Sequence, residues 1–214
     1  MKLVSILILI FSFSIANAEN KIKMYFNNEE ILKIIEIYSK SSGQKFIIDP
    51  SVRGKISIFL PEPVSNEEAF NHLSSALAVN GFAISKQGDT MVVKNARNIQ
   101  RDLIEVSTEK PSLKPERLYT WIYTFKNVPA NTVMKDLRIL LSSNGEVNIN
   151  ENGNQLIFSD WVSNLNRVSE ILKEIDKSVD PATAKLVEVS KKERNSLKKE
   201  QISKKNNEKE KLDN

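Results

Sequence analysis

The stretch FIIDPSVRGKISIF, Phe46 to Phe59, decides the fold because it holds the end of one strand, a turn and a second strand. Asp49 before Pro50 favours a type I turn, since proline fixes φ at the second turn position and the aspartate accepts a hydrogen bond from the backbone ahead. Gly54 permits a positive φ, and apolar residues then alternate with polar ones. We predict a structural turn at Asp49, Pro50 and Gly54 rather than an Asp/Arg active-site loop.

Apolar spacing on both sides of this stretch predicts a first domain over residues 19–94 with the order β-α-β-β-α-β-β. A strand is expected over Lys21–Phe26, because apolar and polar residues alternate there. A helix follows from residue 27 and ends at Gly43, where glycine terminates helices readily. The second helix opens at Ser65, with Glu68 three residues later in the spacing of a capping box.

The remaining sequence divides into three further segments. Residues 95–117 lose the periodic pattern and contain Pro111 and Pro115, so they are expected to be an interdomain linker. Residues 118–176 predict a second β-α-β-β-α domain of KH-like type, whose first strand carries an aromatic stripe that is expected to pack on the helices. Two small domains of the α+β class are therefore expected, followed by a tail over residues 177–214.

The first eighteen residues have the pattern of a secretory signal peptide. Lys2 precedes an apolar run over residues 3–15, and Ala16-Asn17-Ala18 provides small residues at a cleavage site. The chain has no cysteine, so neither a lipid-anchoring cysteine nor a disulfide framework is expected. No later segment is long and apolar enough for a membrane span. We expect cleavage after Ala18 and a soluble protein outside the cytoplasm.

Charge is distributed unevenly along the 214 residues. The net charge is +4, and residues 177–214 account for all of it with 11 Lys or Arg against 7 Asp or Glu. Residues 19–176 carry 19 basic and 20 acidic residues. The tail has too little apolar surface to offset the entropy of ordering, so it is expected to be disordered or transiently helical.

Catalytic chemistry has few candidate residues in this sequence. His72 is the single histidine, and it lacks the companions that a metal site or a catalytic triad requires. Two glutamate pairs, Glu29-Glu30 and Glu67-Glu68, are expected in the first turns of helices, where negative charge complements the helix dipole. We therefore expect no enzyme, no metal and no cofactor.

A nucleic-acid-binding function is the other class considered for a KH-like domain. KH domains bind the backbone through a G-x-x-G loop. The six glycines, at positions 43, 54, 81, 88, 145 and 153, never have that spacing. A folded region without a basic excess also lacks the electrostatic footprint of a nucleic-acid binder. No nucleic-acid partner is expected.

The order of segments resembles the periplasmic part of the secretins, of the type II, general secretion pathway protein D type. Residues 21–94 are similar to the first secretin domain through EEILKIIEIYSKSSGQKFIIDPSVRGKISI and EEAFNHLSSALAVNGFAI. Residues 119–176 resemble the second domain through TFKNVPANTVMKDLRILL, NQLIFSD and VSNLNRVSEILKEID. The first fold is also shared with the signalling domain of some TonB-dependent receptors.

The resemblance implies a role in protein secretion or in a pilus system. Secretin domains of this kind form rings in the periplasm, and they contact inner-membrane components and secreted substrates. The IIDPSVRGKI segment is a structural signature in the family. Secretins continue into further repeats and a channel of amphipathic strands, whereas this sequence passes at Asp176 into a Lys/Glu-rich tail. We expect partner docking, with any outer-membrane association made through partners.

The first strand is the candidate docking surface. Its outward residues Lys23 and Tyr25 would contact a partner if this strand lies at a sheet edge, because an edge strand offers unpaired backbone groups. The alternative for Tyr25 is that it covers its own domain. The alternative function is a stand-alone signalling or envelope-binding module, like the receptor domain, in which the first domain works alone.

Overall fold

The computed structural model describes residues 21–102 and 104–212, and it confirms the α+β class. The predicted signal peptide, residues 1–18, lies outside the described residues. The first domain consists of β1 (Tyr25–Glu30), α1 (Ile31–Ser42), β2 (Lys45–Ile48), β3 (Lys55–Phe59), α2 (Asn66–Val79), β4 (Phe82–Gln87) and β5 (Thr90–Asn95).

Two small sheets form the first domain. The strands β1 and β3 pair antiparallel as a two-stranded sheet, and the other sheet has the order β2-β5-β4 with β2 parallel to β5. Both helices bury the apolar faces that their spacing predicts, and the largest buried side chains are Ile31, Ile34, Ile35, Leu73 and Leu77. Each such side chain contributes about 1.5–3 kcal/mol when it is removed from water.

The ends of both helices follow local chemistry. Gly43 closes α1 with a φ of +72°, and its N–H donates to the carbonyl of Ser39 at 2.9 Å. The Ser65 hydroxyl accepts a hydrogen bond from the N–H of Glu68 at 3.2 Å. These contacts satisfy backbone groups that a helix end leaves without partners.

The start of the domain differs from the expected pattern. Regular pairing of the first strand begins at Tyr25, although Ile22 and Met24 are buried as the alternation predicts. Glu29 and Glu30 end the strand instead of lying in the first turn of α1, because they pair with Ile56 and Lys55 of β3.

The predicted linker contains a helix and a strand. α3 (Ala96–Asp102) follows β5 directly, and β6 (Glu105–Ser107) pairs parallel to the next strand, β7 (Leu118–Thr124). Ala96 and Ile99 are buried in a cluster with Ala83. The sequence pattern did not reveal these elements, because two apolar residues and three strand residues are too few to show a period.

The second domain continues with α4 (Ala130–Arg138), β8 (Glu146–Asn150), a 3-10 turn (Glu151–Gly153), β9 (Gln155–Trp161) and α5 (Val162–Ile175). Its sheet has the order β6-β7-β9-β8. The aromatic stripe of β7 faces the helices, as predicted: Tyr119, Trp121 and Phe125 are buried, and Tyr123 packs against them.

A third apolar cluster joins the two domains. Leu118 and Trp161 of the second domain are buried together with Ala83 and Ile99 of the first region. The two domains therefore share buried apolar surface in addition to their covalent connection.

The chain ends in a long helix, α6 (Pro181–Leu212), where disorder or transient helix was expected. Its apolar residues Leu186, Val189 and Leu197 are exposed. Ala, Leu, Lys and Glu are strong helix formers, so local propensity favours this helix without a packed face. In the described ranges, no helix has an apolar stretch long enough to cross a bilayer.

Candidate protein-docking site

Two aromatic rings lie together on the outward face of the β1–β3 sheet. Tyr25 pairs with Phe59 in the strand register, and their ring centroids are 5.2 Å apart. Tyr25 is 59% exposed and Phe59 is 55% exposed. A partner that covers an exposed aromatic pair lowers the free energy of the complex, because each ring has about 150–250 Å² of surface that is removed from water on burial.

The sequence places these rings outward through strand alternation and a bulge. Met24 and Ile58 point into the core, so their neighbours Tyr25 and Phe59 point out. The register shifts by one residue between Phe26 and Glu29, and Asn28 there has a φ of +51°. Asparagine tolerates this left-handed conformation better than most residues. The bulge ends the aromatic part of the face.

One basic side chain lies beside the aromatic pair, and a second lies toward the far end of the sheet. Lys23 is exposed just before β1, and Lys55 is exposed on β3 four residues from Phe59, where it pairs with Glu30 in the strand register. Glu29 is engaged by Lys33, with a nitrogen–oxygen distance of 3.1 Å, and this hydrogen bond lowers the pKa of Glu29. The face therefore presents aromatic surface with the positive charge of Lys23 beside it, which favours an acidic and apolar partner.

The strand β1 lies at an edge in the part of the chain that the structure describes. Its one strand neighbour there is β3, and Ile22, before β1, forms an isolated bridge with Val64 in the segment that follows β3. The outer backbone groups of an edge strand are a template for another strand. Lys23 and Tyr25 thus lie at a sheet edge, which is the position that a docking role for these two residues requires.

The predicted turn lies beyond the other end of the same sheet. Asp49 accepts a hydrogen bond from the N–H of Ser51 at 2.9 Å, and hydrogen bonding by Ser51 lowers the pKa of Asp49. Arg53 donates to the carbonyl of Pro50 at 3.1 Å, so it closes the turn. Gly54 has a φ of +123°.

A cavity of about 370 Å³ opens at this end of the sheet. It is lined by Glu30, Leu32, Arg53, Gly54 and Lys55. Leu32 is 47% exposed and provides its apolar wall. The aromatic pair is about 17 Å away along the strand, at about 3.4 Å per residue. Of the three predicted turn residues, Gly54 lines this cavity and Asp49 and Pro50 do not.

The titratable residues considered in the sequence have local partners. His72 lies 3.9 Å from Glu68 one helical turn earlier and is partly exposed. Glu67 and Glu68 lie in the first turn of α2, as predicted. Among the described residues, no group of three or more His, Cys, Asp or Glu could hold a metal ion.

Phe59 is the main site residue that the sequence does not reveal. Alternation shows which face of the strand Phe59 takes, but it does not show which residue lies opposite it. Its pairing with Tyr25 depends on the register between strands 34 residues apart. The available signal was that Phe59 is apolar although it lies on the same outward face as the polar Ser57.

Two family models match this chain. Residues 24–93 match the GspD-like N0 domain, and residues 120–180 match the bacterial type II/III secretion system short domain. These ranges contain the β1–β3 sheet with its aromatic pair and the four-stranded sheet, except for β6 and the first two residues of β7.

Curated relatives are secretins. Secretin XcpQ of Pseudomonas aeruginosa is 27% identical over 150 residues, which is 69% of this chain and 22% of the relative. A putative secretin, GspD of Escherichia coli, is 29% identical over 155 residues, which is 71% of this chain and 24% of the relative. The chain thus spans about a quarter of the length of these relatives.

A solved structure shows the same fold. The Klebsiella pneumoniae type II secretion system outer membrane complex matches with a TM-score of 0.65 and 23% identity. The match covers 74% of this chain and 27% of that chain.

Proposed function

Because this chain belongs to the secretin family through its two matched domains, we propose that it is a periplasmic protein-docking module of a type II secretion or pilus system. It acts by binding envelope proteins and not by catalysis. The observation that carries this proposal is the exposed Tyr25–Phe59 pair beside the edge strand β1.

The partner is an inner-membrane component of the secretion or pilus machinery. The Klebsiella complex contains PulD together with PulS and the HR domain of PulC, so a family member assembles with other envelope proteins. Secretin subunits and secreted substrates are further candidate partners. The signal peptide predicted for residues 1–18 and the family membership support a periplasmic location, with outer-membrane association made through these partners.

Docking uses the backbone edge of β1 and the aromatic face together. A strand added to β1 gains main-chain hydrogen bonds, and its side chains cover Tyr25 and Phe59. An acidic side chain of the partner pairs with Lys23 at the margin. Rim charges of this kind change association rate and salt dependence more than affinity.

The alternative is a stand-alone signalling or envelope-binding module, which needs the first domain alone. The buried cluster of Leu118 and Trp161 against Ile99 supports the two-domain function, because separating the domains exposes this apolar surface. Binding by the first domain alone at full affinity would favour the alternative.

The test compares four variants of the chain without residues 1–18. Tyr25→Ala and Lys23→Glu remove the aromatic anchor and reverse a margin charge. Ile139→Ala and Lys135→Glu are the matched controls, because both residues are exposed on or beside α4 of the second domain. Titration against the periplasmic region of the inner-membrane component measures affinity, and thermal melting measures stability.

We expect Tyr25→Ala to weaken binding about tenfold or more, as truncation of a central aromatic does. Lys23→Glu slows association, and its effect shrinks at high salt. Unchanged melting shows that the loss is at the interface. Normal binding by both site variants rejects this surface, and a fall in melting temperature for Tyr25→Ala assigns the ring to the core of its own domain.

A further inference from the structure

A second cavity, of about 610 Å³, lies between the two domains and away from the β1–β3 face. One wall comes from α2, β4 and β5, and the opposite wall comes from residues 104–105 and 112–118. Its lining is mainly apolar, with Phe70, Ile84, Met91, Ile99, Ile104 and Leu118. Apolar walls of this size suit several side chains of an inserted segment.

Pairing in the β4–β5 hairpin determines which backbone groups of β4 face away from its neighbour. Ile84 lies opposite Val93, and the carbonyl of Val93 accepts a hydrogen bond from the N–H of Asp49 at 2.9 Å on the β2 side. Ile84 and Val93 are therefore a pair without mutual hydrogen bonds. The N–H and C=O of Ile84 point away from β5, and alternation places those of Lys86 on the same edge.

This edge of β4 is open toward the cavity. Within residues 21–102 and 104–212, no hydrogen bond from outside the sheet reaches the backbone of Ile84 or Lys86. Both side chains line the cavity. On the opposite wall, Glu105 begins β6, which is also an edge of its own sheet. The cavity is thus bordered by the edges of two sheets.

The charges at the cavity distinguish among occupants. Arg117 is engaged, since its Nε lies 3.7 Å from Glu105 and its guanidinium donates to the carbonyl of Pro115 at 3.2 Å. Glu116 accepts a hydrogen bond from Ser163 at 2.7 Å. Lys86 is exposed and has no ion pair with a described residue. Lys86 therefore offers a free positive charge on the β4 side of the cavity, and Glu116 adds a negative charge on the opposite wall.

We propose that this cavity binds an extended strand of a partner protein, which adds to the free edge of β4. Alternate apolar side chains of that strand fill the space beneath Ile84 and Ile104, and an acidic residue pairs with Lys86. Main-chain hydrogen bonds to Ile84 and Lys86 fix its register. This site is separate from the aromatic face of β1–β3, so a negative result at one site does not reject the other.

The probe is a short fluorescent synthetic peptide that alternates valine with threonine and ends in aspartate. Two matched peptides carry proline at one central threonine or lysine in place of the terminal aspartate. The protein is the full mature chain, as wild type and as the variants Lys86→Ala and Lys86→Pro. Proline removes the outward N–H without breaking a β4–β5 hydrogen bond, and edge strands tolerate it.

We expect Lys86→Ala to weaken binding of the peptide about threefold and Lys86→Pro at least tenfold further, because only the second change removes a main-chain donor. The proline and lysine peptides bind the wild type correspondingly more weakly. Amide exchange measured by NMR reports on the wild type directly, whatever the stability of the variants: the amides of Ile84 and Lys86 exchange fast when free and slowly with peptide.

Three results would overturn the proposal. Equal affinity of Lys86→Ala and Lys86→Pro, at equal melting temperature, excludes main-chain pairing. Unchanged exchange at Ile84 and Lys86 with saturating peptide places the peptide elsewhere or excludes binding. Protection of these amides that grows with protein concentration alone shows that a second copy of the chain occupies the cavity.

Discussion

At the scale of single residues, the buried carboxylate of Asp160 organises the loop before β8. It accepts hydrogen bonds from the backbone and hydroxyl of Ser142, from the N–H of Trp161 at 2.8 Å and from the side chain of Asn164. Asp160 is fully buried. A Cβ atom on Gly145 would lie 2.5 Å from one of its oxygens, so the loop closes tightly over the carboxylate.

We predict that Asp160→Ala lowers the free energy of unfolding by about 3 kcal/mol, because several buried donors lose their acceptor. Asp136→Ala is the control, since Asp136 is exposed on α4. That change should stay within about 0.5 kcal/mol. Urea unfolding measures both. A loss below about 1 kcal/mol for Asp160→Ala would show that water replaces the carboxylate.

A second carboxylate shows how hydrogen bonds set a pKa near the surface. Burial alone would raise the pKa of Asp176, but hydrogen bonds from the N–H groups of Asn127 and Lys126 outweigh it and hold the pKa below its usual value. The same carboxylate accepts a hydrogen bond from Tyr123, and burial followed by this contact raises the pKa of Tyr123 to about 12. Asp176 thereby ties the end of α5 to the loop after β7.

At the scale of elements, strongly periodic segments were predictable from the sequence, and elements that depend on tertiary contacts were not. The helix faces of α1 and α2 and the aromatic stripe of β7 follow from spacing, because each repeats over several residues. The predicted helix begins at residue 27, whereas α1 begins at Ile31. Asn28 and Glu29 suit a helix start locally, but antiparallel pairing with β3 holds them in a bulged strand.

The remaining misses have a common physical cause. α3 and β6 exist because Ile99 packs between domains and Glu105 pairs with Tyr119, and neither contact is visible without the fold. The sequence predicts part of the candidate site. Lys23 and Tyr25 point outward, as alternation predicts, whereas the position of Phe59 opposite Tyr25 depends on the strand register. The boundaries of the domains themselves stay a prediction.

For the terminal helix α6, we predict rapid cleavage by trypsin after about Lys177, while the two domains resist. Lys-rich exposed chain is accessible to the protease even when helical, because isolated helices fray. Deleting residues 181–214 should move the melting temperature by less than about 2 °C, since the exposed side chains of α6 add little burial. Mass spectrometry and melting curves measure these outcomes, and a large loss of stability would reveal a packed α6.

At the scale of the whole molecule, the buried cluster between the domains couples their stability. Leu118 is 3% exposed and packs with Trp161 and Ile99. We predict that Leu118→Ala costs about 2–4 kcal/mol and separates one thermal transition into two, because it removes apolar surface from the interdomain cluster. Leu113→Ala is the control from the same segment, where Leu113 is exposed. Calorimetry that shows one unshifted transition for Leu118→Ala would mean that Leu118 does not couple the domains.

We propose that the aromatic face of β1–β3 docks an inner-membrane component of a secretion or pilus machine. The most direct measurement is photocrosslinking in intact cells, with p-benzoylphenylalanine at position 59 and, as control, at the exposed position 139. We expect position 59 to crosslink to that inner-membrane component, identified by its peptides, and position 139 not to do so. Crosslinking to the component from position 139 alone, or from neither position while the complex assembles, would contradict it.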